Sequence, residues 1–386
     1  MNRTWAEINI DALKSNAENI RKITSPDAKI MAVVKADAYG HGYRQCCIEL
    51  LKSGVDSFAV AMLDEAKELR RQGFSVPILI LGATLPEEAD EIVEYDIMPN
   101  IYNYDFAKCL SDAAIRQDKV VKIHIKVDTG MSRLGFSCVG DDDDTISEIV
   151  KISKLPNVQI DGIFSHLACA DEKNREYTLL QFERFSTLTK KLENLGIEIP
   201  CKHIANSAAI IMYPELHLDM VRAGVILYGY YPSEEVDKKR LSLKPVMTLK
   251  SRITQVKEID AGVGVSYGKT YITDKKTKIA TIPIGYADGY QRCLSHKAKV
   301  EIGDKLFDVI GRICMAQCMI DVTNVNNISI GDEVIIFGDK KITADDVAGW
   351  MNTINYEVLC LVSKRIPRIY KEKGRDITAL NYLDKI

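Results

Sequence analysis

The 386-residue sequence predicts an α/β protein: a TIM-like (β/α)8 barrel followed by a β-rich domain. Two observations carry this. Eight short runs rich in Ile and Val recur in the first two thirds of the chain with helical patterns between them. After about Leu241 the texture changes to short strands joined by Gly, Asp and Asn turns. The apolar runs are Lys29–Lys35, Ser57–Ala61, Pro77–Leu81, Ile97–Tyr102, Val121–Asp128, Ile160–His166, Lys202–Asn206 and Met220–Tyr228. Near-continuous apolar strands alternating with helices call for a parallel sheet covered on both faces. Eight such units in roughly 230 residues suit a closed barrel. An open doubly wound sheet is the alternative, but its glycine-rich dinucleotide loop does not follow the first strand.

The helices between the runs are readable. Asp11 can cap one whose Leu13, Ala17 and Ile20 share a face. A second runs from about Asn174 to Leu195, with Phe185, Leu188, Leu192 and Leu195 in 3-4-3 spacing, and Gly196 stands where a left-handed cap is wanted. Beyond Leu241, Leu249–Glu258, Lys278–Ile284, Lys299–Glu301, Leu306–Ile310, Met319–Val322 and Glu333–Phe337 read as strands, with one helix over Ala344–Met351. Thr4–Ile10 alternates apolar and polar residues and is expected to add a strand to this second domain. The expected division is residues 10–238 for the barrel, and 1–9 with 239–386 for the β-rich domain.

Composition excludes several functions. Lys plus Arg is 51 and Asp plus Glu is 54, a net charge of -3, without the basic excess of a nucleic-acid or anionic-membrane binder. No apolar run approaches the ~20 residues that span a bilayer, and the opening Met-Asn-Arg-Thr-Trp-Ala-Glu, with no apolar core behind a basic start, leads us to expect no secretory signal. The 10 cysteines are scattered. No Cys-x-x-Cys pair exists, and Cys314 and Cys318 have no second pair for a metal, so a reduced, cytoplasmic protein without a metal cluster is expected.

In a barrel, functional groups gather at the C-terminal ends of the strands. Those ends carry Lys35 with Tyr39 and His41, then Lys126, Asp128 and Arg133, then His166, then His203, Asn206 and Ser207, then Arg222 with Gly224. Five ends loaded with Lys, His and Arg read as an active-site mouth. Lys35 follows Met31-Ala32-Val33-Val34, so its stem leaves an apolar strand, where an amine can be tuned for nucleophilic work. From position alone a strand-end lysine reaching solvent is the commoner reading. Asn206 and Ser207 open a helix with free backbone N–H groups, and Gly224 lets a second backbone approach. That suits a phosphate between the last two units and suits an ordinary helix cap equally well.

The stretch Val34-Lys35-Ala36-Asp37-Ala38-Tyr39-Gly40-His41-Gly42 resembles the cofactor-lysine motif of bacterial alanine racemases. The likeness extends along the chain through Val127–Gly135, Val265-Ser266-Tyr267-Gly268, Pro283–Gly289, Gly311-Arg312-Ile313-Cys314-Met315 and Ile354-Asn355-Tyr356-Glu357. It implies pyridoxal 5'-phosphate held covalently by Lys35. The phosphate would be held by Tyr39, Ser207, Gly224, Val225 and Tyr356. Arg222 would face the pyridine nitrogen, oriented by His203, and His166 would link that arginine towards Tyr267. Arg133 and the Met315 backbone would meet the substrate carboxylate. Lys126 would be a carbamylated lysine that steadies Arg133.

The resemblance further implies a homodimer with shared active sites, in which Tyr267 comes from the partner subunit. The reaction would interconvert L- and D-alanine, supplying D-alanine for peptidoglycan; a racemase of another small amino acid such as serine is the alternative. Inverting the α-carbon needs acid/base groups on opposite faces, here Lys35 and Tyr267. A free phenol titrates near 10, so it needs neighbouring cations to act as a base. Tyr356 would crowd the substrate side chain and favour alanine. The sequence departs from the family at Ala316, where an acidic residue usually follows the Met, and at Asp37 and Ser132.

Overall fold

The computed structural model describes residues 2–325 and 327–385. Met1, Asn326 and Ile386, which the expected β-rich domain includes, lie outside the described residues. The chain divides into two compact units. One holds Lys14–Ala38 and Cys47–Leu243; the other holds the described residues through Leu13, Tyr39–Cys46, and those from Lys244 onwards.

The first unit is a closed parallel barrel. Met220–Ala223 pairs with Lys29–Val33, which pairs with Ser57–Val60 and through it Ile78–Ile80. A bridge from Leu79 to Met98 leads to Asn100–Ile101, followed by Val121–Asp128, Val158–Phe164 and Lys202–His203. The ring shuts where Arg222 N donates to Ala205 O at 3.0 Å and Asp219 N to Lys202 O at 3.2 Å. Each of the eight apolar runs thus contributes one barrel strand, and the open-sheet alternative falls away. The register slips between Ile123 and His124, where a β-bulge inserts Asp161.

Local chemistry sets the helices around the ring. Asn103 caps Tyr104–Arg116 by accepting from Phe106 N at 2.8 Å. The long helix spans Glu176–Asn194 and closes on Gly196 at φ +79°, the left-handed cap that glycine adopts without strain. The first helix, Ile10–Ile23, corrects one expectation. Asn9, not Asp11, takes the Ala12 N–H, at 3.0 Å.

The second unit is built on a ten-stranded sheet. Thr4–Asn9 lies within it, antiparallel to Met247–Arg252 and parallel to Arg368–Glu372. The run expected as one strand over Leu249–Glu258 is two, Met247–Arg252 and Gln255–Ile259, in different parts of the sheet. Ala344–Met351 is helical, with Thr343 and Asp346 capping each other. Cross-strand charges alternate: Lys250 Nζ reaches Glu333 at 2.6 Å and Glu7 at 3.1 Å, and Lys371 Nζ reaches Glu7 at 2.9 Å.

Tyr39–Cys46, the stretch just after Lys35, is fixed within this second unit. Arg368 is buried and donates to Gly40 O at 2.9 Å, Val362 O at 2.6 Å and Ser363 O at 2.7 Å. Tyr370 Oη donates to His41 O at 3.0 Å. A Cβ on Gly40 would lie 2.4 Å from Leu359 O. Replacing Arg368 by Leu leaves buried carbonyls unpaired, which costs about 3–5 kcal/mol. The thermal midpoint is expected to fall by roughly 10 °C, read by differential scanning calorimetry; a shift under about 2 °C would contradict this.

Candidate active site

The barrel strands end in a cluster of cations. Lys35 stands two residues beyond the first strand and is half-buried. Ala36, Asp37, Ala38 and Tyr39 follow it at φ +52°, +58°, +54° and +52°. Four consecutive non-glycine residues in the left-handed region cost roughly 1–2 kcal/mol each, so the neighbouring structure must hold the turn. Part of that support is Glu65, whose Oε1 accepts Ala36 N at 2.6 Å while Oε2 takes Ala61 N at 2.7 Å.

The fifth strand, Val121–Asp128, turns His124, Lys126 and Asp128 to one face by its period of two. Lys126 is 5% exposed, with Nζ 4.9 Å from the Phe164 ring centre. Burial first, then the Arg222 and Arg133 charges, push its amine down to about 7. Asp128 shapes the loop that carries Arg133. Its Oδ1 collects the backbone N–H groups of Gly130, Met131 and Ser132 at 2.9, 2.9 and 3.1 Å.

Arg222, on the eighth strand, is buried. Its Nη1 donates to His203 Nδ1 at 2.8 Å and its Nη2 to Ser165 O at 2.7 Å and Ile204 O at 3.1 Å. Nη2 also lies 3.3 Å from His166 Nδ1. Burial, with the Arg133 charge, lowers the guanidinium to about 9, still a cation at neutral pH. His166 is held well below the usual imidazole range by burial, then by Arg222, Lys126, Arg133 and Lys35. A neutral His166 that accepts from Arg222 on Nδ1 carries its proton on Nε2.

Ser207 Oγ accepts Gly224 N at 2.9 Å, which joins the seventh and eighth strand ends. Val225 opens the turn after Gly224. Asn206 Oδ1 caps the helix Ser207–Met212 through Ala209 N at 3.0 Å, so its side chain does the capping that the sequence allowed.

Three contributors escaped the sequence reading. Gln181 Nε2 binds Thr129 Oγ1 and His166 O, each at 3.1 Å, while its Oε1 takes Ala168 N at 2.8 Å. Arg184 Nη1 donates to Thr129 O at 2.8 Å. His124 lies behind His203. The alternation Lys122, His124, Lys126, Asp128 is the one sequence signal that pointed to it.

The second unit carries the other predicted residues. Tyr267 is 70% exposed, at the start of a turn joining Gly264–Val265 to Tyr271–Ile272. Ser266, at φ +64°, braces the turn through Oγ to Arg312 O at 2.6 Å. A cavity of about 800 Å³ beside it is lined by Val265, Ser266, Tyr267, Cys314, Gln317 and Met319, among others. Gln317 and Tyr267 thus line the same cavity. Met315 is exposed, and its carbonyl is occupied by Ala287 N at 2.9 Å, leaving its N–H as the backbone group to offer an anion. Tyr39 and Tyr356 place their ring centres 6.1 Å apart. Burial pushes the Tyr39 phenol far up, with Tyr356 and Cys360 adding to it, so Tyr39 remains a hydrogen-bond donor.

A strand-end lysine, a buried arginine on neutral imidazoles and a backbone cradle between the last two strands define a barrel enzyme that takes an anionic, nitrogen-containing ligand. Comparison with known proteins gives the family. Residues 8–232 match the model of the alanine racemase N-terminal domain and residues 246–370 that of the C-terminal domain, so the chain belongs to the alanine racemase family. It is 49% identical over 383 residues to the alanine racemase of Clostridium tetani, covering 98% of both chains. It is 48% identical over 382 residues to that of Clostridium perfringens, with 98% of both covered. The solved alanine racemase of Clostridium difficile 630 superposes with a TM-score of 0.95 at 43% identity, covering 99% of each chain.

Proposed function

We propose that this chain is an alanine racemase, dependent on pyridoxal phosphate, that works as a homodimer in the cytoplasm. The observation that carries the reading is Arg222. Among the described residues its Nε–H has no protein acceptor, which leaves a donor for a ring nitrogen. The residues therefore fit the cofactor. Lys35 would hold it, Ser207, Gly224 and Val225 with Tyr39 and Tyr356 would take its phosphate, and Arg222, able only to donate, would keep the pyridine nitrogen unprotonated. Bound there, pyridoxal phosphate acts as an electron sink that makes the substrate's α-proton removable.

The chain's own groups do the rest. Arg133 and the Met315 N–H orient the substrate carboxylate. Lys35 Nζ takes or returns the proton on the D face, and the partner subunit's Tyr267 does so on the L face. His166, protonated on Nε2 alone, is a donor suited to steady a phenolate. The residue numbers 10–238, and 1–9 with 239–386, remain the proposed division between a cofactor domain and a domain carrying the phenol.

Two features support the dimer and the compartment. Tyr267, Met315, Ile272 and Ile330 are all more than half exposed, and Tyr267 and Ile330 line one pocket, apolar surface of the kind that protein contacts cover. All ten cysteines are free thiols, as suits a reducing compartment. Among the described residues no helix is long and apolar enough to cross a membrane.

Lys126 supplies a pH-dependent prediction. Carbamylation joins the neutral amine to carbon dioxide, the nitrogen lone pair forming the N–C bond and one proton leaving to solvent. With the amine lowered to about 7, the neutral form grows as pH rises through 7. It would exchange a cation repelled by Arg133 and Arg222 for an anion that attracts them. With 13C-bicarbonate at pH 8, a carbamate resonance is expected that fades below pH 6.5 and is absent from Lys126→Ala. No resonance at pH 8 would contradict the assignment.

The function itself is tested by incubating the cofactor-loaded protein with L-alanine, L-serine and other amino acids and following D-enantiomers by chiral chromatography. D-alanine is expected at the highest kcat/KM. Faster turnover of serine would favour the alternative substrate, and no inversion of any amino acid would defeat the reading.

A further inference from the structure

Behind the active-site face, the barrel holds a polar relay that no step above uses. Arg222 has only donors. Its contact with His203 Nδ1 at 2.8 Å therefore needs a lone pair there, which puts the His203 proton on Nε2. That nitrogen lies 2.9 Å from His124 Nδ1, so His124 accepts on Nδ1 and carries its own proton on Nε2. His124 Nε2 has no hydrogen-bond partner among the described residues. Asp161 Oδ2 stands 3.7 Å away, close enough for its charge to act directly on the ring.

The relay is built into the strands. A Cβ on Gly162 would lie 2.6 Å from His124 Cε1, so only glycine admits the ring. The β-bulge supplies Asp161 one step beyond the normal register, and re-aiming a side chain is what bulges do. Phe164 stacks on His203 with ring centres 4.9 Å apart and planes 6° from parallel. The far end opens into a cavity of about 200 Å³ lined by Lys29, Asp56, Ser57, His124, Asp161 and Cys201, among others. Lys29 and Ser57 begin their strands, so this is the floor of the barrel.

We propose that His124 is a positioning residue for the active site at the opposite end: by accepting the His203 Nε2 proton it fixes the His203 tautomer, and so the direction in which Arg222 donates. The Asp161 carboxylate, 3.7 Å from His124 Nε2, faces the far end. Among the described residues, the charged and titratable groups that act on His124 include Asp161, Lys122, Arg222 and His203, and Lys29, Asp56 and Cys201 line the same cavity. Burial holds both imidazoles below their ordinary range, which keeps each ring at one proton, as the relay requires. Its catalytic consequence rests on the racemase reading; its proton positions do not.

Imidazole 15N NMR on the full chain, recorded without cofactor at pH 7, tests the relay directly. Both His203 and His124 are expected neutral with the proton on Nε2. A His203 proton on Nδ1, or a doubly protonated ring, overturns the proposal whatever the activity. His124→Gln keeps an acceptor and is expected to preserve the His203 signal, with kcat within about threefold. His124→Met removes the acceptor; the His203 signal should move and kcat should fall roughly 10- to 100-fold, as loss of an outer orienting partner does. KM for alanine should change less than about twofold. A folded His124→Met protein with unaltered kcat overturns the positioning role. If His124→Met does not fold, the tautomers of the unmodified chain still decide. If the unmodified protein turns over no alanine, the racemase reading fails while the tautomers stand or fall alone.

Discussion

Lys35→Ala is expected to lower racemisation in both directions by on the order of 10⁴ or more. On the proposed assignment two losses would combine: the covalent hold on the cofactor, and the acid/base group of the D face. Proton transfer by a positioned side chain is worth roughly 10²–10⁴, and holding reactants in register contributes on top of that. The fold should survive, because Lys35 is half-buried at a strand end and the strain nearby lies in Ala36–Tyr39, not in its own backbone. Circular dichroism and the thermal midpoint check this. Added methylamine can replace the missing amine only as a diffusing base, so it should restore a small, concentration-dependent rate. Lys35→Ala turning over alanine within tenfold of the unmodified chain would exclude Lys35 from the chemistry.

Tyr267→Phe removes a single hydroxyl from an exposed ring, which leaves stability within about 0.5 kcal/mol. Its effect on catalysis should be large and one-sided. Racemisation is expected to fall by roughly 10²–10⁴, yet D-alanine should still exchange its α-proton with solvent deuterium if, as proposed, Lys35 serves that face. L-alanine should not exchange. Equal slowing of both exchanges would contradict the division of labour. Mixing unfolded Lys35→Ala and Tyr267→Phe chains and refolding them tests the shared site. If the phenol comes from the partner, mixed dimers hold one complete site each, and activity should recover to about a quarter of normal. No recovery would place Tyr267 in the site of its own chain.

Much of this was legible because barrel geometry converts strand ends into a mouth. Lys35, Lys126, His166, His203 and Arg222 each lie at or near the C-terminal end of an apolar run or its strand, so their clustering could be read once the runs were taken as parallel strands. Other parts carried no local mark. In Ala36–Tyr39 only Asp37 tolerates left-handed geometry readily, and the turn exists because its surroundings hold it. Gln181 sits on a helix where a polar residue reads as solvent-facing; its bonds to Thr129 and His166 depend on where that helix docks. Arg368, beside Arg365 and Pro367, looks like a surface charge, and its burial depends on strands Arg368–Glu372 and Arg375–Leu380, which the pattern did not reveal. Asp161 needs a bulge, and a bulge cannot be counted from one strand alone.

The two proposed acid/base groups make the sharpest target. L-alanine and the cofactor-loaded enzyme in deuterated water, sampled before equilibrium, should give D-alanine carrying deuterium at the α-carbon while the remaining L-alanine stays protiated. D-alanine that keeps the original proton, or deuterium entering both enantiomers at equal rates from the start, would mean that one group serves both faces.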